Sequence, residues 1–544
     1  MTRVVPLRLF LISAFLLCFN SSYASTVNPP KTGQTTCYNS AGVVVSCLST
    51  GQDGDWQTGV QAAGARFTVS PLYCITDNLT GLMWERSPSN ALIGWQAAID
   101  HAAALDLCGF TDWRIPSIVE LESLVNAEVA NTVAWLSELA QGFLSLDSSR
   151  LYWSGTTVNG NTYAWGVRMG EGKINFGSTG GIYGADYGFV WSVRGGGSAP
   201  AYPWQTGQNT SLYSGDDGAL KPGVAWPSPR FTKNNNGTVT DNLTGLIWLE
   251  NADCFGTQTW DNALISANTL KGDNTQCLLD DGSQAGDWRL PNRKEVLSLA
   301  DFQYSDPPLS NAAGIGKWTP GDPFTNVQSA RYWSSTTYAN ATNEAWYIGF
   351  GMWDSLMWDY IKSGSYYVWP VRGGQIPSSS ATWSIYGNGT VTSRPAGINC
   401  SSISMPCSAS FRVNTVVMFT VIPDPESIFS NWGGDISCGN TVTMDTDKSC
   451  EAFFELCTNS LVTSLGSGPR DLIIEAYTNA EYYDTIKAVG STFSETFDFN
   501  SPKDITLSGG YDCKFELQTG LTYITGSPLT ISDGSVIVDR IVIY

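Results

Sequence analysis

The sequence predicts an α+β fold, present twice in tandem and followed by all-β modules. Three observations predict it. Four short motifs recur in one order along the first two thirds of the chain. Each copy places two helix-patterned stretches ahead of a Gly-punctuated aromatic run. Beyond residue 374 only short strand-like runs remain.

Taken from the start, residues 1–24 read as a secretory signal peptide. Arg3 and Arg8 give a positive n-region, Leu9 to Phe19 an apolar core, and Ser22-Tyr23-Ala24 a small-residue cleavage site after Ala24. The apolar run is too short for a membrane span, and no later stretch approaches the roughly 18–20 residues a helix needs. The expectation is an exported protein, extracellular or on the cell-envelope surface. Cys18 leaves with the leader, and Leu17 before it is too large for a lipidation site.

The motifs then define the duplication. Asp77-Asn78-Leu79-Thr80-Gly81-Leu82-Met83-Trp84 recurs as Asp241-Asn242-Leu243-Thr244-Gly245-Leu246-Ile247-Trp248, and Asp112-Trp113-Arg114-Ile115-Pro116 as Asp287-Trp288-Arg289-Leu290-Pro291. Tyr152-Trp153-Ser154 returns as Tyr332-Trp333-Ser334, and Val193-Arg194-Gly195-Gly196 as Val371-Arg372-Gly373-Gly374. Upstream, Gly51, Asp53, Gly54, Gly59, Val60, Arg66 and Phe67 match Gly215, Asp217, Gly218, Gly223, Val224, Arg230 and Phe231 without a gap. Thr32-Gly33-Gln34 matches Thr206-Gly207-Gln208. The first copy occupies 25–196 and the second 197–374. Apolar spacing predicts helices over Trp95–Leu107 and Trp260–Leu270. Ser117 with Glu120, and Asn292 with Glu295, have the capping-box form that opens a second helix in each copy. From Tyr152 and Tyr332 onward the pattern is β-hairpins.

Residues 375–381, Gln-Ile-Pro-Ser-Ser-Ser-Ala, read as a linker. Residues 382–456 carry short strand-like runs, and 457–544 carry short apolar runs separated by Gly, Asp and Ser.

Twelve cysteines remain in the mature chain, an even number for an oxidising compartment, so disulfides are expected. Cys37 and Cys47 arrive together in an insertion unique to the first copy and pair with each other. Cys74 with Cys108, and Cys254 with Cys277, pair within their copies. Cys400–Cys407 and Cys438–Cys450 are local staples, which leaves Cys457 and Cys513.

Composition narrows function. Charged residues make up 14% of the chain, against a usual ~25%. With 49 acidic and 29 basic residues the net charge is −20, a field that repels nucleic acid, sulfated polysaccharide and anionic membrane. The single histidine, His101, allows neither a Ser-His-Asp-type arrangement nor a His-rich metal site. Glu120 and Glu295 are explained by helix capping rather than acid catalysis, and no enzyme activity is expected.

The motif set resembles the domain found at the C-terminus of the Legionella collagen-like adhesin, over about 50–196 and 214–374. That resemblance implies a fold akin to C-type-lectin-like and formylglycine-generating-enzyme-like domains, without catalytic residues to carry over. The formylglycine-generating relatives need reactive copper-binding cysteines, and here every mature cysteine has a disulfide partner to hand. Residues 382–456 resemble a small bacterial surface β-repeat related to internalin B-repeats, and 457–544 the opening coils of a right-handed parallel β-helix. The expected function is therefore a secreted or cell-surface binding and adhesion protein, recognising a glycan or a surface protein. The alternative is a structural subunit of an extracellular assembly without its own ligand.

Candidate sites follow. In the second copy Trp353, Asp354, Trp358, Asp359 and Tyr360 set aromatic rings beside carboxylates, a pattern that suits sugars, although the rings could instead bury against the first copy. Asp53 and Asp55, with Asp216 and Asp217, offer a calcium pattern of carboxylates in Gly-containing loops. Asp-Gly pairs are also ordinary turn residues, and Ala219 replaces Asp55 in the second copy. The apolar strand pattern from Val536 to Tyr544 suggests self-association through the C-terminal β-segment.

Overall fold

A computed structural model describes residues 27–544, except 71–72, 159–161, 181–185, 197–198, 352–355, 375–377, 395–396, 402–406, 414, 425–426, 457–461, 465–467, 519 and 527–528. The leader, Trp353, Asp354 and Cys457 lie outside the described residues. The chain divides into two units, 1–376 and 377–544. β-structure dominates: among the described residues there are thirty-six strands and eight helices, the longest helix being Trp260–Thr269.

In the first unit each copy opens with a four-stranded antiparallel sheet. Phe67–Val69, Cys74–Asp77, Leu82–Glu85 and Val193–Gly195 form one, and Phe231–Lys233, Thr238–Asp241, Ile247–Leu249 and Val371–Arg372 the other. Motifs far apart in sequence meet here, since Trp84 pairs with Val193 and Trp248 with Val371. The helices begin where the spacing places them but end early, at Ala103 and Thr269. Copy one's helix stops ahead of Cys108, which has a positive φ of 58° and is bonded to Cys74. Both capping boxes form, at Ser117–Glu120 and Asn292–Glu295.

The hairpins of both copies join one eight-stranded sheet. Copy one contributes Tyr152–Thr157, Tyr163–Arg168 and Lys173–Ser178, and copy two Arg331–Thr337, Glu344–Gly349, Met357–Ile361, Thr257–Gln258 and Tyr366–Tyr367. The seam is the pairing of Met357 with Ile174. One large core runs through both copies, from Trp84 and Trp191 to Trp248 and Trp369, and each copy keeps a smaller cluster of its own around Trp95 or Trp260. Two pairs of buried indoles carry their N–H groups to matching carbonyls: Trp95 to Ser154 and Trp260 to Ser334, both at 2.7 Å. Trp191 reaches Glu85 and Trp369 reaches Leu249, both at 2.8 Å.

In the second unit, Ser378–Tyr386 starts as a strand inside the expected linker, because alternate residues Ser379 and Ala381 turn inward. Two four-stranded sheets enclose Trp383, Val391, Val417 and Phe419. Further on, the strands stack in parallel: Thr485–Val489, Asp504–Tyr511 and Ser535–Asp539 on one ladder, and Thr492–Ser494, Thr522–Thr525 and Ile541–Ile543 on another. Five bridges are present among the described residues: Cys37–Cys47, Cys74–Cys108, Cys254–Cys277, Cys400–Cys407 and Cys438–Cys450. No helix among the described residues is long and apolar enough to cross a membrane.

Candidate functional site

The carboxylates of the calcium pattern are built into the junction between the copies. Each copy is preceded by an arm, and each arm reaches the other copy's sheet. Asp53 Oδ2 accepts hydrogen bonds from Thr32 of its own arm and from Thr336 of copy two, both at 2.7 Å. Asp217 Oδ2 accepts from Thr206 and from Thr156 of copy one at the same distance. Glutamines complete the exchange. Gln34 Oε1 accepts from the Thr337 amide at 2.8 Å, and Gln208 Oε1 from the Thr157 amide at 2.9 Å. Meanwhile the Thr32 and Thr206 carbonyls accept from Ala127 and Phe302 in their own copies, at 2.8 and 2.9 Å. Each arm therefore bolts the two copies together.

Burial dominates the electrostatics of these bolts. It pushes Asp53 up to about 6, with Glu295 adding to the rise while Thr336, Thr32 and Arg289 oppose it. Asp217 is pushed to about 6 in the same way, between Glu120 and Arg114. Asp55 accepts from the Gly51 amide at 3.0 Å. Asp216 caps the short helix Asp217–Leu220, its oxygens accepting from Ala219, Leu212 and Tyr213. The Oδ2 atoms of Asp53 and Asp217 accept from hydroxyl donors, while their Oδ1 atoms are buried without a hydrogen-bond partner; a calcium ion would need several more oxygens around them. Among the described residues, no three His, Cys, Asp or Glu side chains gather as a metal-sized group.

The Asp-Trp-Arg motifs form rigid supports beside the bolts. Arg114 grips Glu120 through two bonds of 2.6 Å, and Arg289 grips Glu295 at 2.6 and 2.7 Å. The same glutamates close the capping boxes. Asp112 turns instead to Arg194. A second pair of forks had only a repeated arginine to announce it: Arg66 with Asp77, and Arg230 with Asp241.

The aromatic candidates of copy two divide. Asp359 pairs with Lys173 of copy one at 2.8 Å, and that ammonium lies 4.3 Å from the Trp358 ring centroid. A hydrogen bond donated to the Asp359 carboxylate, followed by burial, pushes neighbouring Glu344 up to about 7. Trp358 and Asp359 thus meet the first copy, whereas Tyr360 is 43% exposed. Tyr360 lies 5.3 Å from Tyr366, whose ring meets Trp333 at a tilt and Tyr347 edge-on, at 4.6 and 5.1 Å. Arg331 donates to the Tyr366 hydroxyl at 3.0 Å. Among the described residues copy one has no counterpart to this cluster: Trp153 faces Gly166 where Trp333 faces Tyr347.

The family model described as the Lcl C-terminal domain matches residues 73–194 and again 237–372. No curated protein matches the chain.

Proposed function

This chain carries two Lcl C-terminal domains, and from that premise we propose that it is an exported, non-catalytic adhesion protein that binds a glycan or a surface protein. The adhesin-type domain and the disulfides suit an extracellular or surface location. In each copy two helices lie between the strands of a small antiparallel sheet and the hairpins of the shared one, an order that supports a C-type-lectin-like arrangement for 25–196 and 197–374. The second unit then acts as spacer and attachment.

One observation carries the binding role: copy two adds Tyr347, Tyr360 and Tyr366 around Trp333 and leaves Tyr360 open. Aromatic faces stack on the C–H faces of sugars, and tyrosine hydroxyls with Arg331 add polar handles of the kind found at recognition surfaces. Trp353 and Asp354, a ring beside a carboxylate in the sequence, belong to the same proposal. Probing a glycan and surface-protein array with the intact mature protein tests the reading. Binding should fall at least tenfold in Tyr360→Ala with the melting curve unchanged. Unaltered binding in Tyr360→Ala, Trp353→Ala and Trp358→Ala alike would remove this face from the proposal.

A further inference from the structure

The two copies differ most instructively at one tryptophan. In copy two, Trp226 lies over the guanidinium of Arg230, 4.3 Å from its ring centroid. Its Nε1 donates to the Gln205 carbonyl at 2.6 Å, and the edge of the indole passes Gly207, where a side chain would collide with it. Under that lid Arg230 is 0% exposed. Copy one aligns without a gap from Gly51 to Phe67, so Ala62 stands where Trp226 would be.

The rest of the cradle is repeated. Arg66 bonds both oxygens of Asp77, at 3.2 and 2.9 Å, and the Ser123 carbonyl at 2.7 Å. Arg230 does the same with Asp241 and Ser298. The Lys31 amide bonds Val60 at 2.9 Å as Gln205 bonds Val224 at 3.0 Å, and Gly33 takes a φ of +94° where Gly207 takes +87°. With no indole present, a cavity of about 420 Å³ opens, bordered by Lys31, Gln34, Arg66, Val125, Asn126 and Trp135. The Arg66 side chain is 18% exposed there. The volume is within the range of sites that hold small organic groups, about 300–1,000 Å³.

We propose that this cavity receives a tryptophan side chain carried on an extended segment of a partner polypeptide, with Trp226 of the second copy as its internal likeness. Arg66 selects the chemistry. Its charge is met by Asp77 and its Nε and Nη2 edges are engaged, so a carboxylate or phosphate gains little. What remains is Nη1 and the guanidinium face turned away from Phe67, whose ring centroid lies 4.9 Å off; that flat face is weakly hydrated and suited to an aromatic ring. The Lys31 carbonyl stands where Gln205 accepts the indole N–H. The polypeptide character is taken from copy two, whose indole is carried on the Val224-Ala225-Trp226-Pro227 segment held by the Val224 amide on Pro203. In copy one Val60-Gln61-Ala62 keeps that path, its Val60 amide on Pro29, so the partner's tryptophan enters beside Gln61 and Ala62 at the border of the cavity. Gln61 and Asn126 at the rim can pair with such a backbone. This site lies apart from the Tyr360 face and does not depend on the ligand proposed there.

The test uses the intact mature protein and the peptide Gly-Val-Ala-Trp-Pro-Ser-Pro, the chain's own 223–229, followed by calorimetry and saturation-transfer NMR. One saturable site is expected, lost when alanine replaces tryptophan in the peptide. Ala62→Trp should weaken binding at least tenfold without lowering the melting temperature. Trp226→Ala should raise the stoichiometry from one peptide to two, and it decides the matter alone if Ala62→Trp fails to fold. Absence of saturable binding to the unaltered protein, undiminished binding to folded Ala62→Trp, or unchanged stoichiometry in Trp226→Ala would overturn the proposal. Free indole binding as tightly as the peptide would overturn the polypeptide occupant.

Discussion

Asp53 and Asp217 hold the junction through single carboxylate oxygens, and their burial makes the junction respond to pH. Each is raised from 3.8 to about 6 in the folded protein, so the fold favours the neutral acid. The stability each supplies is fully present below about pH 4 and is lost as pH rises through 6. Glu85 and Asp301, both raised by burial to about 7, act in the same direction. Lys362 and Lys294 oppose them, since burial lowers them to about 7 and 8 and their contribution is lost as pH falls. Substitution isolates the bolts. Asp53→Asn and Asp217→Asn keep an acceptor for the threonines and abolish the titration. Each should flatten the change in unfolding free energy between pH 5 and 7.5 by roughly 1 kcal/mol, measured by denaturant unfolding. An unchanged pH profile in the double variant would refute this account.

At the scale of the element, the capping-box helices and the disulfides do the local ordering. Glu295 closes its helix cap and neutralises Arg289 with both groups within 2% of full burial. Glu295→Ala strands a buried guanidinium and should cost about 3–5 kcal/mol, seen as a shifted urea midpoint. Glu120→Ala should cost less, because Arg114 keeps 16% exposure to water. The bridges constrain the unfolded chain, each contributing about 2–4 kcal/mol. Mass spectrometry after alkylation without reduction should find no free thiol in the mature protein, and reduction should lower its melting temperature. Two or more alkylated cysteines would contradict the six-bridge framework.

Across the first unit, the two copies are made for each other rather than for themselves. Glu122 of copy one meets Arg293 and Lys294 of copy two at 3.0 and 3.1 Å, with both cations within 1% of full burial. Arg293 also donates to the Gly172 carbonyl at 2.7 Å and lies over Trp346. Glu122→Ala should therefore destabilise the whole unit by about 3–5 kcal/mol, and calorimetry should show both copies melting in one transition. Two separated transitions in the unaltered protein would contradict a single junction. In the second unit, Ser535–Asp539 and Ile541–Ile543 each pair with one neighbour among the described strands, and Ile537 and Val538 are exposed. An edge of this kind invites strand addition. Removal of 535–544 should abolish any self-association detected by light scattering.

The sequence by itself determined the duplication, the cysteine pairs within each copy, the helix starts and the hairpin order. Each of those rests on local patterning: Ser117 with Glu120, Trp95 with its apolar repeats, or an insertion that carries both of its cysteines. It also showed Asp53, Asp217, Arg66 and Arg230 as repeated positions, without showing what they touch. Only the tertiary structure decided that the arms cross over, that Lys173 of one copy meets Trp358 and Asp359 of the other, and that Ala62 in place of Trp226 opens a cavity. Those facts depend on groups 51 to 303 residues apart in the chain coming within hydrogen-bond or van der Waals distance. A one-residue difference between repeats reads in sequence as ordinary drift. Only the shared backbone around it turns that difference into a site.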